Sequence, residues 1–131
     1  MKTYLRLLLI ISSMTGMLTT GRAADLSQND KQFLSAYEQT RAALASDDLA
    51  GARKAAASFQ DGAEIAKSQS LQQARAAFGK VSEKAVRLAK GKHGYYVLHC
   101  EMAGKDWVQT TAKVSNPYLG KEMLGCGEIK K

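Results

Sequence analysis

The chain has 131 residues, of which 45% are hydrophobic and 24% charged. That balance excludes collagen, mucin-like stalks and wholesale disorder, and the length fits one domain. Nineteen basic against twelve acidic residues give a formal charge of +7. There is a single proline, and six of the 11 glycines fall between Gly91 and Gly127, which sets the last third of the chain apart.

Lys2 and Arg6 precede an apolar stretch of 12 residues from Leu7 to Leu18, and small residues follow at Gly21 and Ala23. The stretch is shorter than the roughly 20 apolar residues that a bilayer span needs. The pattern predicts a secretory signal peptide over residues 1–23, cut after Ala23. No cysteine lies near the cut, so a lipid anchor is not expected. The expected location is periplasmic or secreted, with no stable membrane insertion after cleavage. Residues 24–131 then form the mature domain, 131 − 23 = 108 residues carrying 16 − 12 = +4, enough for one modest core. Its lysines are scattered among acids, not gathered on the basic face that nucleic-acid binding requires. Only weak attraction to anionic surfaces is compatible with that charge.

Alanine is abundant from Ala36 to Ala89 and proline is absent there, a composition that favours helix. Ser27-Gln-Asn-Asp30 resembles a capping box opening a helix to about Ala45, with Phe33, Leu34, Tyr37 and Leu44 on its apolar face. After Ser46, Asp47 is the expected N-cap of a second helix carrying Leu49, Ala52, Ala56 and Phe59, with a possible split at Asp61-Gly62. Ser68 or Ser70 opens a third, whose face is Leu71, Ala74, Phe78, Val81, Ala85 and Leu88. Short connections predict antiparallel neighbours. The expected fold is mainly α: an antiparallel three-helix bundle over residues 24–92, followed by a small β/turn lobe over 93–131. The aromatic stripe of Phe33, Tyr37, Phe59 and Phe78 reads as core packing. The helices hold no histidine, cysteine or methionine, which disfavours a di-iron or haem bundle. Asp61 and Glu64 are assigned to the solvated face.

After Lys92 the period changes. Gly91-Lys-His-Gly94 is a turn, Tyr95–Leu98 a short strand, Gly104-Lys-Asp106 a tight loop, and Trp107–Val114 alternates like a further strand. Asn116 is held extended by Pro117. Five potential soft or borderline donors, His99, Cys100, Met102, Met123 and Cys126, fall within 28 residues. Both cysteines of the chain are among them. If the glycine-rich tail folds back, Met123 and Cys126 approach His99–Met102. Thiolate and thioether donors select Cu(I), and imidazole also suits copper. Zinc is a weaker fit, with His93 as a fourth ligand, because it makes little use of methionine. The rival reading is a Cys100–Cys126 disulfide, closing a loop of about 26 residues and stabilising by roughly 3–4 kcal/mol in the chain-entropy model. Met102 and Met123 would then fill gaps in a small core around Trp107 and Tyr118. Spacing leaves both readings open, with redox exchange of the cysteine pair as a third.

The segments His99-Cys-Glu-Met-Ala103, Trp107, Ser115-Asn-Pro-Tyr-Leu-Gly120 and Met123-Leu-Gly-Cys-Gly127 occur together and in order. This arrangement resembles the bacterial domain-of-unknown-function family numbered 3347, whose members end in a block like C-P-M-A … W … I-x-N-P-Y-(Y/F)-G-x-x-M-(L/M)-x-C-G. Upstream, Arg75, Phe78 and Ser82 match an R-x-x-F-x-x-x-S stretch. The resemblance implies a secreted or periplasmic domain associated with copper or another heavy metal, found alone or fused to the adaptors of metal-efflux pumps. It implies Cys100, Met102, Met123 and Cys126 as ligands, with His99 matching members that carry histidine before the first cysteine. Trp107, Asn116, Pro117, Tyr118, Gly120 and Gly127 would be structural support. Two positions depart from the pattern. Glu101 stands where proline is usual, adding a negative charge, and Leu119 where an aromatic is common.

An enzyme is not expected. Thiol–disulfide catalysis usually employs a C-x-x-C motif, which is absent, and no acid is placed to orient a histidine base beside a nucleophile. The expected partners are a metal ion and a periplasmic efflux adaptor or other envelope protein. The alternative is a disulfide-stapled helical interaction module of the cell envelope with no metal.

Overall fold

The computed structural model describes residues 24–131, so the expected signal peptide lies outside the described residues. The fold is mainly helical with a small antiparallel sheet at its C-terminal end. Helix α1 spans Gln28–Ala45, α2 Leu49–Ala56, α3 Ala63–Ala66 and α4 Leu71–Ala89. The second helical stretch is therefore two helices, separated by a single 3-10 turn at Gln60–Gly62. None of the described helices is long and apolar enough to cross a membrane.

The helix starts follow local chemistry. Ser27 Oγ accepts the Asp30 N–H at 3.1 Å, and its hydroxyl donates to the Asp30 carboxylate at 2.6 Å. A capping-box glutamate would reach back to the cap's backbone N–H; the shorter Asp30 pairs with the hydroxyl instead. Ser70 caps α4 through the Gln73 N–H. The cap of α2 is Asp48, which accepts the Gly51 N–H at 2.8 Å, and not Asp47 as expected. Asp47 takes the left-handed conformation at φ 56°, which aspartate tolerates better than most residues, and points its carboxylate at Arg75, 2.6 Å away. Phe59 lies beyond α2 in extended backbone, yet its ring still meets Phe33 edge-on at 5.6 Å.

The core draws Phe33, Leu34, Tyr37 and Leu44 from α1, Ala52 and Ala56 from α2, Ile65 from α3, and Ala74, Phe78, Val81 and Ala85 from α4. Tyr37 stacks on Phe78 at 4.9 Å. Asp61 and Glu64 pair with Lys84 and Lys80 in solvent, where such bridges contribute little.

Strand β1 is Tyr96–Cys100, β2 is Lys105–Gln109 and β3 is Glu128–Ile129, in the order β2-β1-β3. Leu98 faces Trp107 and His99 faces Asp106 in one pair, and Leu98 faces Ile129 in the other. The turn between β1 and β2 falls at Glu101–Gly104, so Lys105 and Asp106 are strand and not loop. β2 stops at Gln109 because that buried side chain curls the chain around itself. Its amide donates to the carbonyls of Thr111 at 2.7 Å and Lys113 at 2.6 Å, and its oxygen accepts from Trp107 Nε1 at 2.9 Å and the Ser115 N–H at 3.2 Å.

One face of α4 presents Arg75, Phe78 and Ser82 to the lobe, a spacing that stacks them in a row. Arg75 donates to the Pro117 and Leu44 carbonyls, both at 2.8 Å. Phe78 meets the Tyr118 ring at 5.7 Å, and Ser82 donates to the Asp106 carbonyl at 3.0 Å. From α1, Arg41 holds Glu38 with two hydrogen bonds and donates a third to the Ser115 carbonyl at 2.8 Å. Helices and lobe are thus joined through side chains that bind the 115–118 loop and the outer edge of β2.

Candidate metal site

Cys100 ends β1, where strand alternation turns it inward beside Leu98 and Trp107, and it is fully buried. Cys126 lies on the return of the chain, just before β3. The two sulfurs, 26 residues apart in sequence, approach to 2.8 Å, and both thiols are free. Cys126 is only partly buried.

Asn116 places the second cysteine. Fully buried, it donates from Nδ2 to the Cys126 carbonyl at 2.7 Å. Its oxygen accepts the N–H groups of Tyr118 at 2.8 Å and Leu119 at 3.1 Å. Its backbone N–H donates to the Leu124 carbonyl at 2.8 Å and its carbonyl accepts the Gly120 N–H at 3.1 Å. One asparagine therefore organises both the turn after Pro117 and the segment carrying Cys126. Pro117 is buried and Tyr118 packs edge-on against Trp107 at 6.3 Å. Gly127 sits at φ 144°, and a Cβ there would come within 2.5 Å of the Trp107 ring. Gly120 sits at φ 62°, where a Cβ would collide with the Asp47 carboxylate. Both glycines let the tail return closely enough to bring Cys126 to Cys100.

Burial raises the Cys100 thiol, but hydrogen bonds from Cys126, the Ala103 N–H, Asn116 and the Met102 N–H outweigh it and hold Cys100 below the ordinary thiol value. The same contact with Cys100 pushes Cys126 up, with burial adding to it.

The remaining expected donors are His99, Met102 and Met123. His99, the strand neighbour of Cys100, points to the opposite face of the sheet. There its Nδ1 pairs with Asp106 at 2.6 Å and its Nε2 with Glu101 at 3.1 Å, so both ring nitrogens are engaged away from the sulfurs. The Asp106 and Glu101 hydrogen bonds raise the His99 pKa above its ordinary value despite the opposing effect of burial. Asp106 also binds Lys130 at 2.7 Å. Met102, in the turn directly after Cys100, is 68% exposed, and Met123, in the 3-10 turn Gly120–Met123, is 38% exposed. Neither is a gap-filler in the small core around Trp107. That place is taken by Leu98 and Cys100, with Tyr96, Ala103, Val114, Tyr118 and Leu119 partly buried around them. Among the described residues, no three or more histidine, cysteine or carboxylate side chains are grouped to hold a metal ion.

The sequence reading missed Arg41 and Gln109 as organisers of the lobe; it named Asn116 as structural support, without the side-chain hydrogen bonds by which it acts. An arginine such as Arg41 inside an apolar helix face, and a glutamine such as Gln109 at an inward strand position, are the signals that point to buried polar anchors.

Comparison with protein-family models, with curated proteins and with solved structures found no match to the chain.

Proposed function

We propose that this domain captures a soft metal ion, Cu(I) foremost, through the thiolates of Cys100 and Cys126, with Met102 and Met123 supplying thioether donors at the exposed side. The observation that carries this reading is the 2.8 Å approach of two cysteine sulfurs from distant parts of the chain, one buried and one reachable. Soft sulfur donors select Cu(I) over harder ions, and zinc is the weaker candidate. A tetrahedral ion bonded to sulfur at about 2.3 Å spaces two sulfurs about 3.8 Å apart, so the pair must open by roughly 1 Å to receive one. Cys126 is the less buried of the two, so its side chain is the one with room to turn. The likeness of the C-terminal block to family 3347 supports the same ligand set.

In this reading the helices form an up-down scaffold, with α2 and α3 together as its middle member. The role is capture, buffering or transfer of the metal outside the cytoplasm, with an efflux adaptor or other envelope protein as partner, and not catalysis. Titrating the reduced protein with Cu(I) against a chelating competitor tests it. The wild type should take up metal, Cys100→Ser/Cys126→Ser should not, and His99→Gln should match the wild type. Equal retention by the wild type and the double cysteine variant, both folded by circular dichroism, refutes the assignment.

The same sulfur approach favours a second reading, a Cys100–Cys126 staple in a metal-free interaction module. In that case the non-reduced protein is two hydrogens lighter than the reduced form and takes up no alkylating reagent under mild reductant.

A further inference from the structure

We propose that Cys100 and Cys126 form an ordered thiol–disulfide exchange pair, in which Cys126 is the sulfur that meets an external low-molecular-weight disulfide and Cys100 is the one that resolves the adduct. This inference stands whether or not the pair holds a metal.

The geometry assigns the two steps. Cys100 is fully buried, so an external disulfide cannot reach it. Cys126 is partly exposed, and the position beside it is Gly125, where even an added Cβ would meet only open space. The backbone around Cys126 is fixed: its N–H donates to the Met123 carbonyl at 3.0 Å and its carbonyl accepts from Asn116 at 2.7 Å. The reacting sulfur is therefore held at 2.8 Å from Cys100. Cys100 is in turn held by the N–H of Ala103, 3.4 Å from its sulfur, a donor that favours the sulfur anion needed for the second step. The C-x-x-C motif achieves nearness along the sequence. Here the folded-back tail achieves it in space.

In the first step Cys126 passes its proton to the Cys100 sulfur 2.8 Å away and, as thiolate, attacks one sulfur of the disulfide R–S–S–R. A Cys126–S–R bond forms, and the other half leaves as thiolate and takes up a proton. In the second step the Cys100 thiolate attacks Cys126 Sγ, forming the Cys100–Cys126 bond and expelling the second half as thiol. The protein dithiol is oxidised by two electrons and the disulfide is reduced to two thiols, with protons conserved. Thiolate attack through such a mixed disulfide is the general route of exchange.

Glutathione disulfide is the probe, added to freshly reduced full-length protein in the presence of a metal chelator, with acid quenching and mass measurement over time. The wild type should release two glutathione molecules per chain and end two hydrogens lighter, with little adduct at any time. Cys100→Ser should stop at one glutathione adduct, while Cys126→Ser should react roughly tenfold or more slowly, as a buried thiol does, and recover speed in denaturant. In the wild type, trapping at early times should place any glutathione on the Cys126 peptide, a result that needs no variant. Adduct on the Cys100 peptide, equal rates for the two single variants in their folded states, or a wild type that halts at the adduct would each overturn the proposal. With no metal present, these outcomes leave the Cu(I) titration to stand or fall separately.

Discussion

Tyr37 of α1 and Ser82 of α4 share a buried hydrogen bond of 2.7 Å across 45 residues of sequence. The bond is one link in a chain. The Val108 N–H donates to the Tyr37 oxygen at 3.1 Å, Tyr37 donates to Ser82, and Ser82 donates to the Asp106 carbonyl at 3.0 Å. Tyr118 donates to the same carbonyl at 3.1 Å. Burial raises the pKa of both tyrosines, that of Tyr118 to about 12, so each stays a neutral donor. Tyr37→Phe keeps the packing but leaves the Val108 N–H without its acceptor. It should lower stability by about 1–3 kcal/mol, read as a lower urea midpoint with an unchanged slope.

Asn116 offers a sharper test of how the thiols are brought together. Asn116→Ala removes three side-chain hydrogen bonds at a buried site and should destabilise by about 2–3 kcal/mol. Because the segment carrying Cys126 is released, alkylation of Cys100 in the folded variant should become faster than in the wild type. A stability loss with an unchanged Cys100 alkylation rate would contradict the role given to Asn116.

The two tail glycines differ from those of the Gly91–Gly94 turn. Gly127→Ala combines a backbone conformation open mainly to glycine with a collision against the Trp107 ring, and should cost at least about 2 kcal/mol. Gly91→Ala places its methyl in open space at φ 73°, so only the left-handed conformation is penalised, at about 1–2 kcal/mol. Thermal melts of the two variants should fall in that order.

Acid should weaken the joint between Asp47 and Arg75. The Arg75 hydrogen bond, opposed by burial and helped by the Lys121 N–H, holds Asp47 below its ordinary value of 3.8. Near that pH the unfolded chain binds the proton more readily than the folded one. The contribution is therefore present above 3.8 and lost as the pH falls through the lowered folded value. Urea midpoints measured at pH 5 and pH 3 should drop for the wild type and drop less for Asp47→Asn.

The helices were legible because their signals are local. Ser27 and Ser70 cap where expected, and the apolar rows from Phe33 to Leu44 and from Ala74 to Ala85 line the core. Phe59 kept its place in the core without its helix, since periodicity reports a face more faithfully than a boundary. The sheet was read less well. β3 is two residues long, too short for alternation to register, and Trp107–Val114 alternates past the point where the Gln109 side chain turns the chain away. The meeting of Cys100 and Cys126 was anticipated from glycine content. His99 was expected as a donor and instead turns away: the expected strand stopped at Leu98, whereas β1 runs to Cys100, and a residue next to an inward cysteine on a strand faces the other side.

The side chains that bind the outer margin of β2 also decide what that margin can do. With the Val108 N–H and the Asp106 carbonyl already taken by Tyr37, Ser82 and Tyr118, an incoming peptide would have to displace side chains to pair along this flank. The opposite flank, β3, is two residues long and gives little purchase for growth of the sheet into fibrils or swapped assemblies.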